Sequence, residues 1–182
     1  TPAEFDAIEH VDEQYRYELI HGVLVVTPPP SIGERDPNEE LGHWLRMYRD
    51  QHEKGAALDG TVSEQDIPLS DSRRRADRVI WTGLRRQPQP TSLCESVASS
   101  RLHRYRDDIE KRQEYLAVGI KEYWIIDRFR RNMTVYSGTP DAPQERVVAE
   151  PETYQTDLLP GFELPLKQLL AAADKWSDTS ET

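Results

Sequence analysis

Apolar residues predominate in the first strongly patterned stretch of the chain, residues 17–26 (YELIHGVLVV). Two apolar-rich runs flank His21 and Gly22, a residue pair that suits the two-residue turn of a β-hairpin. Three prolines follow at 28–30 and end the second run, because proline cannot donate a hydrogen bond to a strand ladder. The pattern therefore predicts an N-terminal β-hairpin.

A helical period of apolar positions appears further along the chain. Residues 36–39 (DPNE) predict a helix start, with aspartate as the N-cap, proline at the first helical position and glutamate three residues after the cap. The apolar positions that follow recur at i, i+3, i+4 and i+7: Leu41, Trp44, Leu45 and Tyr48. This period predicts an amphipathic helix that buries one face and ends before Gly55.

Shorter patterned segments make up the rest of the chain. Strands are expected at 61–69, 77–81, 91–99, 120–127 and 132–137, and helices at 106–118 and 165–175. Residues 120–127 (IKEYWIID) have the strongest strand pattern, and apolar residues on both faces indicate a central, covered strand. Serines at 92, 96 and 99 weaken the pattern of 91–99. The order of hairpin, helix, three strands, helix and two strands predicts an α/β fold with a mixed β-sheet flanked by helices.

Length and composition restrict the class of protein. The 182 residues suit one domain, which we place at 1–176, and the polar residues 177–182 are expected to form a disordered tail. No apolar run approaches the roughly 18–20 residues that a membrane span needs, and no secretory signal is apparent. The single cysteine, Cys94, excludes an internal disulfide and a cysteine-cluster zinc site. We therefore expect a cytoplasmic protein with no membrane partner.

The charge is distributed unevenly along the chain. A net charge of −10 argues against a nucleic-acid partner, but residues 73–131 hold 15 Lys and Arg against 8 Asp and Glu. The remainder holds 8 against 25, so a local charge of +7 lies within a chain that otherwise carries −17. This basic segment is a candidate phosphate-binding surface. The alternative is that its arginines are scattered over solvated faces.

Acidic residues accompany the arginines in this segment. In residues 73–81 (RRRADRVIW), Asp77 opens a strand directly after three arginines and an alanine. Either Asp77 is a solvated strand end, or it faces a bound cation and the arginines face an anion. Glu95 lies in the next predicted strand, and Asp107 and Lys111 share one helix face at i and i+4. Carboxylates at matching heights on neighbouring strands can share Mg²⁺ or Mn²⁺, although each feature alone is more often solvated or a surface salt bridge.

The order of these pieces resembles the Uma-two family of restriction-endonuclease-like proteins, within the PD-(D/E)XK nuclease superfamily. The segments that carry the resemblance are 17–26, 76–77, Glu95, 106–127 (RDDIEKRQEYLAVGIKEYWIID) and 158–170 (LLPGFELPLKQLL). The resemblance spans nearly the whole chain, from about Tyr15 to Leu170. It implies a restriction-endonuclease-like α/β core that binds a divalent metal, Mg²⁺ or Mn²⁺.

The same resemblance implies roles for individual residues. Asp77 and Glu95 match the two metal ligands of the family. The superfamily often has a lysine two residues after that glutamate, but Val97 occupies this position here. In the Uma-two pattern a lysine of the following helix takes the role, which implies Lys111 as the third catalytic residue.

Further residues are expected to support this site. Glu18 matches an acidic position that the family usually shows, and it either contributes to the site or stabilises the hairpin. Asp107 would orient Lys111 or act next to the metal ligands. Three arginines beside the proposed site are the candidates for contact with the nucleic acid: Arg101, Arg104 and Arg106.

The chain departs from the family pattern at two places. Ala76 replaces the proline of the "PD" pair, which costs backbone rigidity but removes no ligand. Ser92 and Ser96 flank Glu95, where the family has a strongly apolar run. Buried hydroxyls need partners, and a shift of one residue in register would turn Glu95 to the opposite face of the sheet.

Three functions follow from the sequence, and the first is preferred. The first is a metal-dependent nuclease that hydrolyses phosphodiester bonds of DNA and works as a homodimer, since a duplex has two strands to cut. The second is a catalytically weak or inactive nuclease fold that acts in nucleic-acid or protein binding. The third is a folded domain with an accidental cluster of carboxylates.

Overall fold

The computed structural model describes residues 1–9, 11–84, 96–99 and 105–175, with only the backbone of 96–99 and 105–108. The helices are α1 Pro2–Asp6, α2 Ile32–Gln51, α3 Tyr105–Ala117 and α4 Leu166–Asp174. The strands are β1 Arg16–Ile20, β2 Val23–Thr27, β3 Leu58–Pro68, β4 Arg73–Thr82, β5 Ser96–Ser99, β6 Glu122–Asp127, β7 Asn132–Thr139, β8 Ala142–Ala149, β9 Thr153–Tyr154 and β10 Leu164–Pro165.

One mixed sheet organises the described chain. Its strand order is β2-β1-β4-β5-β6-β7-β8, with β3 also paired to β4. The β5–β6 pair is parallel, and the other strand pairs of this sheet are antiparallel. A parallel pair requires a crossover connection, and α3 lies within the one between β5 and β6. The mixed sheet flanked by helices confirms the predicted fold class.

The N-terminal hairpin is confirmed. β1 and β2 pair antiparallel, with Leu19 opposite Leu24. His21 and Gly22 both have positive φ, 47° and 79°. Two consecutive residues in this region form the turn whose twist matches a two-stranded hairpin, and glycine adopts it at no steric cost. The hairpin places β1 directly beside β4.

Helix α2 begins earlier than the sequence pattern predicts. Its N-cap is Ser31, whose backbone N–H and hydroxyl donate to Glu34 Oε2 at 2.7 and 2.9 Å. The predicted start at 36–39 is therefore wrong, because two capping signals compete and the upstream one is used. Pro37 falls in the second turn of the helix. The predicted apolar stripe is present, and Leu41, Leu45 and Tyr48 are buried.

Two apolar clusters hold the sheet between its helices. The first includes α2 and α4 residues with Trp124 and Ile126 of β6. The second includes Tyr115 of α3 with Tyr123 of β6, and Ile125 packs against it. Successive β6 side chains thus alternate between the two clusters. This confirms that residues 122–127 form a central strand covered on both faces.

Several element boundaries differ from expectation. β4 begins at Arg73 and not at Asp77, so the arginine run belongs to the strand. β8 was not predicted, because nearly all of its side chains are exposed and its sequence has no apolar alternation. Residues 91–95 of the third predicted strand, and the proposed tail at 177–182, lie outside the described residues.

Candidate functional site

A buried ion pair joins the hairpin to the crossover helix. Lys111 Nζ on α3 donates to Glu18 Oε1 on β1 at 3.0 Å. The side chains are 3% and 7% exposed. Glu18 Oε1 also accepts from the backbone N–H of Arg75 on β4 at 2.7 Å. One carboxylate oxygen therefore ties together β1, β4 and α3, and it orients the Lys111 ammonium at this point of the sheet.

A second buried carboxylate, that of Asp77, lies on β4 two residues after Arg75. Asp77 Oδ1 accepts from Arg16 Nη1 at 3.0 Å, and the two side chains are 9% and 10% exposed. The backbone carbonyl of Asp77 accepts from Asn38 Nδ2 of α2 at 2.9 Å. Asp77 is thus a buried, cation-facing carboxylate inside the strand. Of the two readings that the sequence left open, the solvated strand end is wrong.

The cation beside Asp77 belongs to the protein itself. Arg16 Nη2 also donates to Glu64 Oε1 at 2.5 Å, so this guanidinium bridges two carboxylates. Burial acts to lower the pKa of Arg16, but the hydrogen bonds and charges of Glu64 and Asp77 outweigh it and leave that pKa raised. Arg16 therefore stays charged and supplies fixed positive charge at the site.

The arginine run at 73–75 faces anions, and these anions are carboxylates of the same chain. Each of the three pairs with an acidic residue: Arg73 Nη2 with Asp6 Oδ2 at 2.7 Å, Arg74 Nε with Glu114 Oε2 at 2.7 Å and Arg75 Nε with Asp66 Oδ1 at 2.9 Å. Arg74 is completely buried. These arginines link β4 to neighbouring elements and are not a free phosphate-binding surface.

Several predicted site residues are not described by the structure. Glu95, Arg101 and Arg104 lie outside the described residues, and Arg106 and Asp107 have only their backbone described, in the first turn of α3. Among the described residues, no group of three or more His, Cys, Asp and Glu side chains is close enough to hold a metal ion. Of the predicted site residues whose side chains are described, Glu18 and Lys111 are in contact, and Glu18 also contacts the β4 segment that carries Asp77.

Two residues of the site were not identified from the sequence. Arg16 precedes Glu18 by two residues on β1, and the strand period of two could have indicated that both serve one site. Asn38 precedes Leu41 by three residues and Leu45 by seven, so it lies on the buried stripe of α2. A polar residue in an apolar stripe signals a buried hydrogen bond, which here holds the backbone of Asp77.

The fold and this buried polar cluster define the class of protein. The structure is similar to that of "a putative nuclease belonging to DUF820" from Anabaena variabilis ATCC 29413, with a TM-score of 0.77 and 14% sequence identity. The similarity covers 95% of this chain and 98% of that chain, and it shows a nuclease-like α/β fold. The model of the Uma2 family, described as "Putative restriction endonuclease", matches residues 2–167. The chain belongs to the Uma2 family, which confirms the resemblance found in the sequence.

Two further findings concern the class of protein. No curated protein matches the chain. None of the helices in the described part of the chain is long and apolar enough to cross a membrane. The family and the structural neighbour together support a nuclease-like function.

Proposed function

We propose that this protein is a metal-dependent endonuclease that hydrolyses phosphodiester bonds of DNA in the cytoplasm. The observation that carries the proposal is the buried Lys111–Glu18 ion pair at the β1–β4 junction, next to the segment that holds Asp77. Burying an ion pair is weak as a stabilising device, because desolvation offsets most of the Coulomb attraction. Ionisable groups that are buried together against that cost are typical of functional sites.

The donor chemistry of the site fits a hard divalent cation. Asp77 is buried, and a metal ion would share its carboxylate with the Arg16 guanidinium, which pairs with Oδ1. We propose that Asp77 and Glu95 hold Mg²⁺ or Mn²⁺, because carboxylate oxygens are the ligands that these ions prefer. When bound, the ion would supply Lewis-acid polarisation of the phosphodiester.

The residues of the chain would divide the remaining work. Lys111 would position the attacking water and stabilise the negative charge that develops on the phosphate. Glu18 holds the ammonium in place from the hairpin, and Asp107 would support it from the preceding turn of α3. We assign contact with the DNA backbone to three arginines: Arg101, Arg104 and Arg106.

The test is a plasmid-nicking assay with Mg²⁺ or Mn²⁺, using wild-type protein, Lys111→Ala and Asp77→Asn. Loss of metal-dependent nicking in both variants, each shown by circular dichroism to be folded at the assay temperature, would support the proposal. Lys167→Ala and Asp141→Asn are matched controls, because these side chains lie at exposed positions on α4 and in the β7–β8 turn. Absence of nicking by folded wild-type protein, or equal nicking by Lys111→Ala, would contradict the mechanism.

A second candidate function is a nuclease fold that binds nucleic acid or protein without cleaving. The observation in its favour is that Asp77 and Lys111 both form internal ion pairs. This function predicts salt-sensitive DNA binding without nicking, because phosphate contacts release counterions. Calorimetric titration with Mn²⁺ separates it from the first, since only the metal-dependent nuclease predicts a saturable site that Asp77→Ala removes.

The assembly state is part of the proposal. We propose a homodimer, because a duplex has two strands and one active site per copy cuts one of them. Light scattering of the purified protein, with and without a DNA duplex, measures the mass directly. A monomeric mass under both conditions would remove this part of the proposal and leave single-strand nicking intact.

A further inference from the structure

Tyr115 carries a buried hydroxyl that has no hydrogen-bond partner among the described residues. The residue lies one helical turn after Lys111 on α3, and its side chain is completely buried. Its ring packs in the second apolar cluster and meets the ring of Tyr123 edge to face, with centroids 5.1 Å apart. The ring is therefore well packed, and only its hydroxyl is unexplained.

Tyr115 lies one helical turn from Lys111 of the polar site. Burial is the largest cause that raises the pKa of Tyr115 well above its usual value, and the nearby charges of Glu18 and Asp77 raise it further. Residues four apart on a helix share one face, so Tyr115 and Lys111 are directed at the same region of the sheet. The phenol stays neutral near pH 7, so it can donate a hydrogen bond and cannot act as a general base.

Other buried tyrosines of the described chain do have partners for their hydroxyls. Tyr48 Oη donates to the backbone carbonyls of Lys54 and Pro160 at 2.9 and 3.0 Å. Tyr154 Oη donates to Glu122 Oε2 at 2.7 Å. Leaving a buried hydroxyl unpaired costs free energy, and phenylalanine would fill the same space without that cost. Among the residues that the structure describes, the Tyr115 hydroxyl thus has no structural explanation.

We propose that Tyr115 is a further catalytic residue, whose hydroxyl donates a hydrogen bond to a phosphate oxygen of the substrate beside Lys111. This inference rests on the proposed nuclease function and adds a substrate contact to it. The Lys111 ammonium is itself buried and must become accessible for any contact with DNA. A rearrangement that admits a phosphate to Lys111 would also bring it towards Tyr115, because the two residues share one face of α3.

The test variant is Tyr115→Phe, which removes the hydroxyl and keeps the ring. Three quantities are measured: the melting temperature, the affinity for a short labelled DNA duplex in EDTA by fluorescence anisotropy, and the single-turnover nicking rate with Mg²⁺. We expect an unchanged or higher melting temperature, because no hydrogen bond to a described residue is lost. We expect duplex affinity to fall about tenfold and the nicking rate to fall about tenfold to a hundredfold, because the donor acts on a charged oxygen.

Tyr48→Phe is the matched control, because it removes a buried hydroxyl that bonds only to the protein. It should lower the melting temperature and leave affinity and rate within about twofold. The proposal is overturned if Tyr115→Phe retains wild-type affinity and rate, or if it behaves like Tyr48→Phe. If wild-type protein neither binds nor nicks DNA, the proposed function fails first and the Tyr115 contact fails with it. That outcome is distinct because it appears before any substitution.

Discussion

Glu18 and Lys111 are 93 residues apart in the chain, yet their side chains meet at 3.0 Å inside the protein. The contact connects the N-terminal hairpin to the helix that crosses between the parallel strands. Hairpin and crossover helix are thereby fixed relative to each other at the candidate site.

The first prediction concerns the stability of this pair. Lys111→Met should lower the free energy of unfolding by about 3–5 kcal/mol, because it leaves the Glu18 carboxylate buried without its ammonium partner. Glu18→Gln should be destabilising for the converse reason. The double variant Glu18→Gln/Lys111→Met should lose less than the sum of the two, since neither charge remains. Urea denaturation of the four proteins measures the coupling, and additive losses would contradict a direct pair.

The second prediction concerns Arg16. Replacing it by methionine should lower the free energy of unfolding by about 3–5 kcal/mol, because the buried Asp77 carboxylate loses its ion pair with the guanidinium. The control is Arg49→Met, which breaks the exposed pair with Asp50 and should cost at most about 1 kcal/mol. Similar losses for the two variants in urea denaturation would show that burial of the Arg16–Asp77 pair has no energetic consequence.

The third prediction concerns the close approach of Gly42 to Arg78. A Cβ at position 42 would lie 2.6 Å from Arg78 Nη2. The Arg78 guanidinium cannot move freely, because its Nε donates to Asn38 Oδ1 at 2.9 Å and the residue is buried. Gly42→Ala should therefore destabilise by about 1–3 kcal/mol, although alanine has the higher helix propensity. The measurement is the melting temperature of Gly42→Ala, with Arg35→Ala, a substitution at an exposed position of the same helix, as the control. A raised melting temperature for Gly42→Ala would refute the prediction.

The fourth prediction concerns pH. His21 Nδ1 lies 2.7 Å from Asp71 Oδ2, and this hydrogen bond is the main cause that raises the pKa of His21, with the charge of Glu114 adding and that of Arg74 opposing. The same hydrogen bond is the main cause that lowers the pKa of Asp71. Because the pKa of His21 is raised by folding, its contribution to stability is fully present when the pH is below the histidine pKa of the unfolded chain. Because the pKa of Asp71 is lowered, its contribution is present when the pH is above the aspartate pKa of the unfolded chain.

Both contributions are therefore present from about pH 4 to 6.5. The His21 contribution is lost as pH rises through the raised pKa of the folded protein. His21→Asn is the variant of choice, because asparagine tolerates the positive φ of this turn. The difference in melting temperature between wild type and variant should shrink between pH 6 and 9, at low salt. A difference that stays constant across this range would exclude the pair as its source.

Local patterns in the sequence determined much of the fold. The His21-Gly22 turn between two apolar runs predicted the hairpin, and the period of Leu41, Leu45 and Tyr48 predicted the buried face of α2. Apolar residues on both faces predicted the central strand β6. These features depend on backbone conformation and burial within a few residues, which is information that a short stretch of sequence contains.

Sequence reasoning also identified Asp77, Glu18 and Lys111 as candidate site residues, through the family motif. It did not identify their partners. The Arg16 guanidinium beside Asp77 and the Glu18 contact to Lys111 depend on which strands are neighbours and in what register. Strand pairing is set by packing over the whole sheet, so the residues of one strand do not specify it.

The arginine run at 73–75 also shows the difference between what the sequence predicted and what the tertiary structure determined. From the sequence, Arg73, Arg74 and Arg75 were candidates for an external anion, and their composition could not distinguish a substrate from a carboxylate of the chain. The tertiary structure decided this, because it brings Asp6 and Glu114 from distant segments, and Asp66 from the paired strand β3, to the arginines of β4. Residue types, spacing and family membership are properties of the sequence itself. The identity of each charge's partner is decided only when the chain folds, because a buried charge must be matched by whichever opposite charge the packing brings within reach.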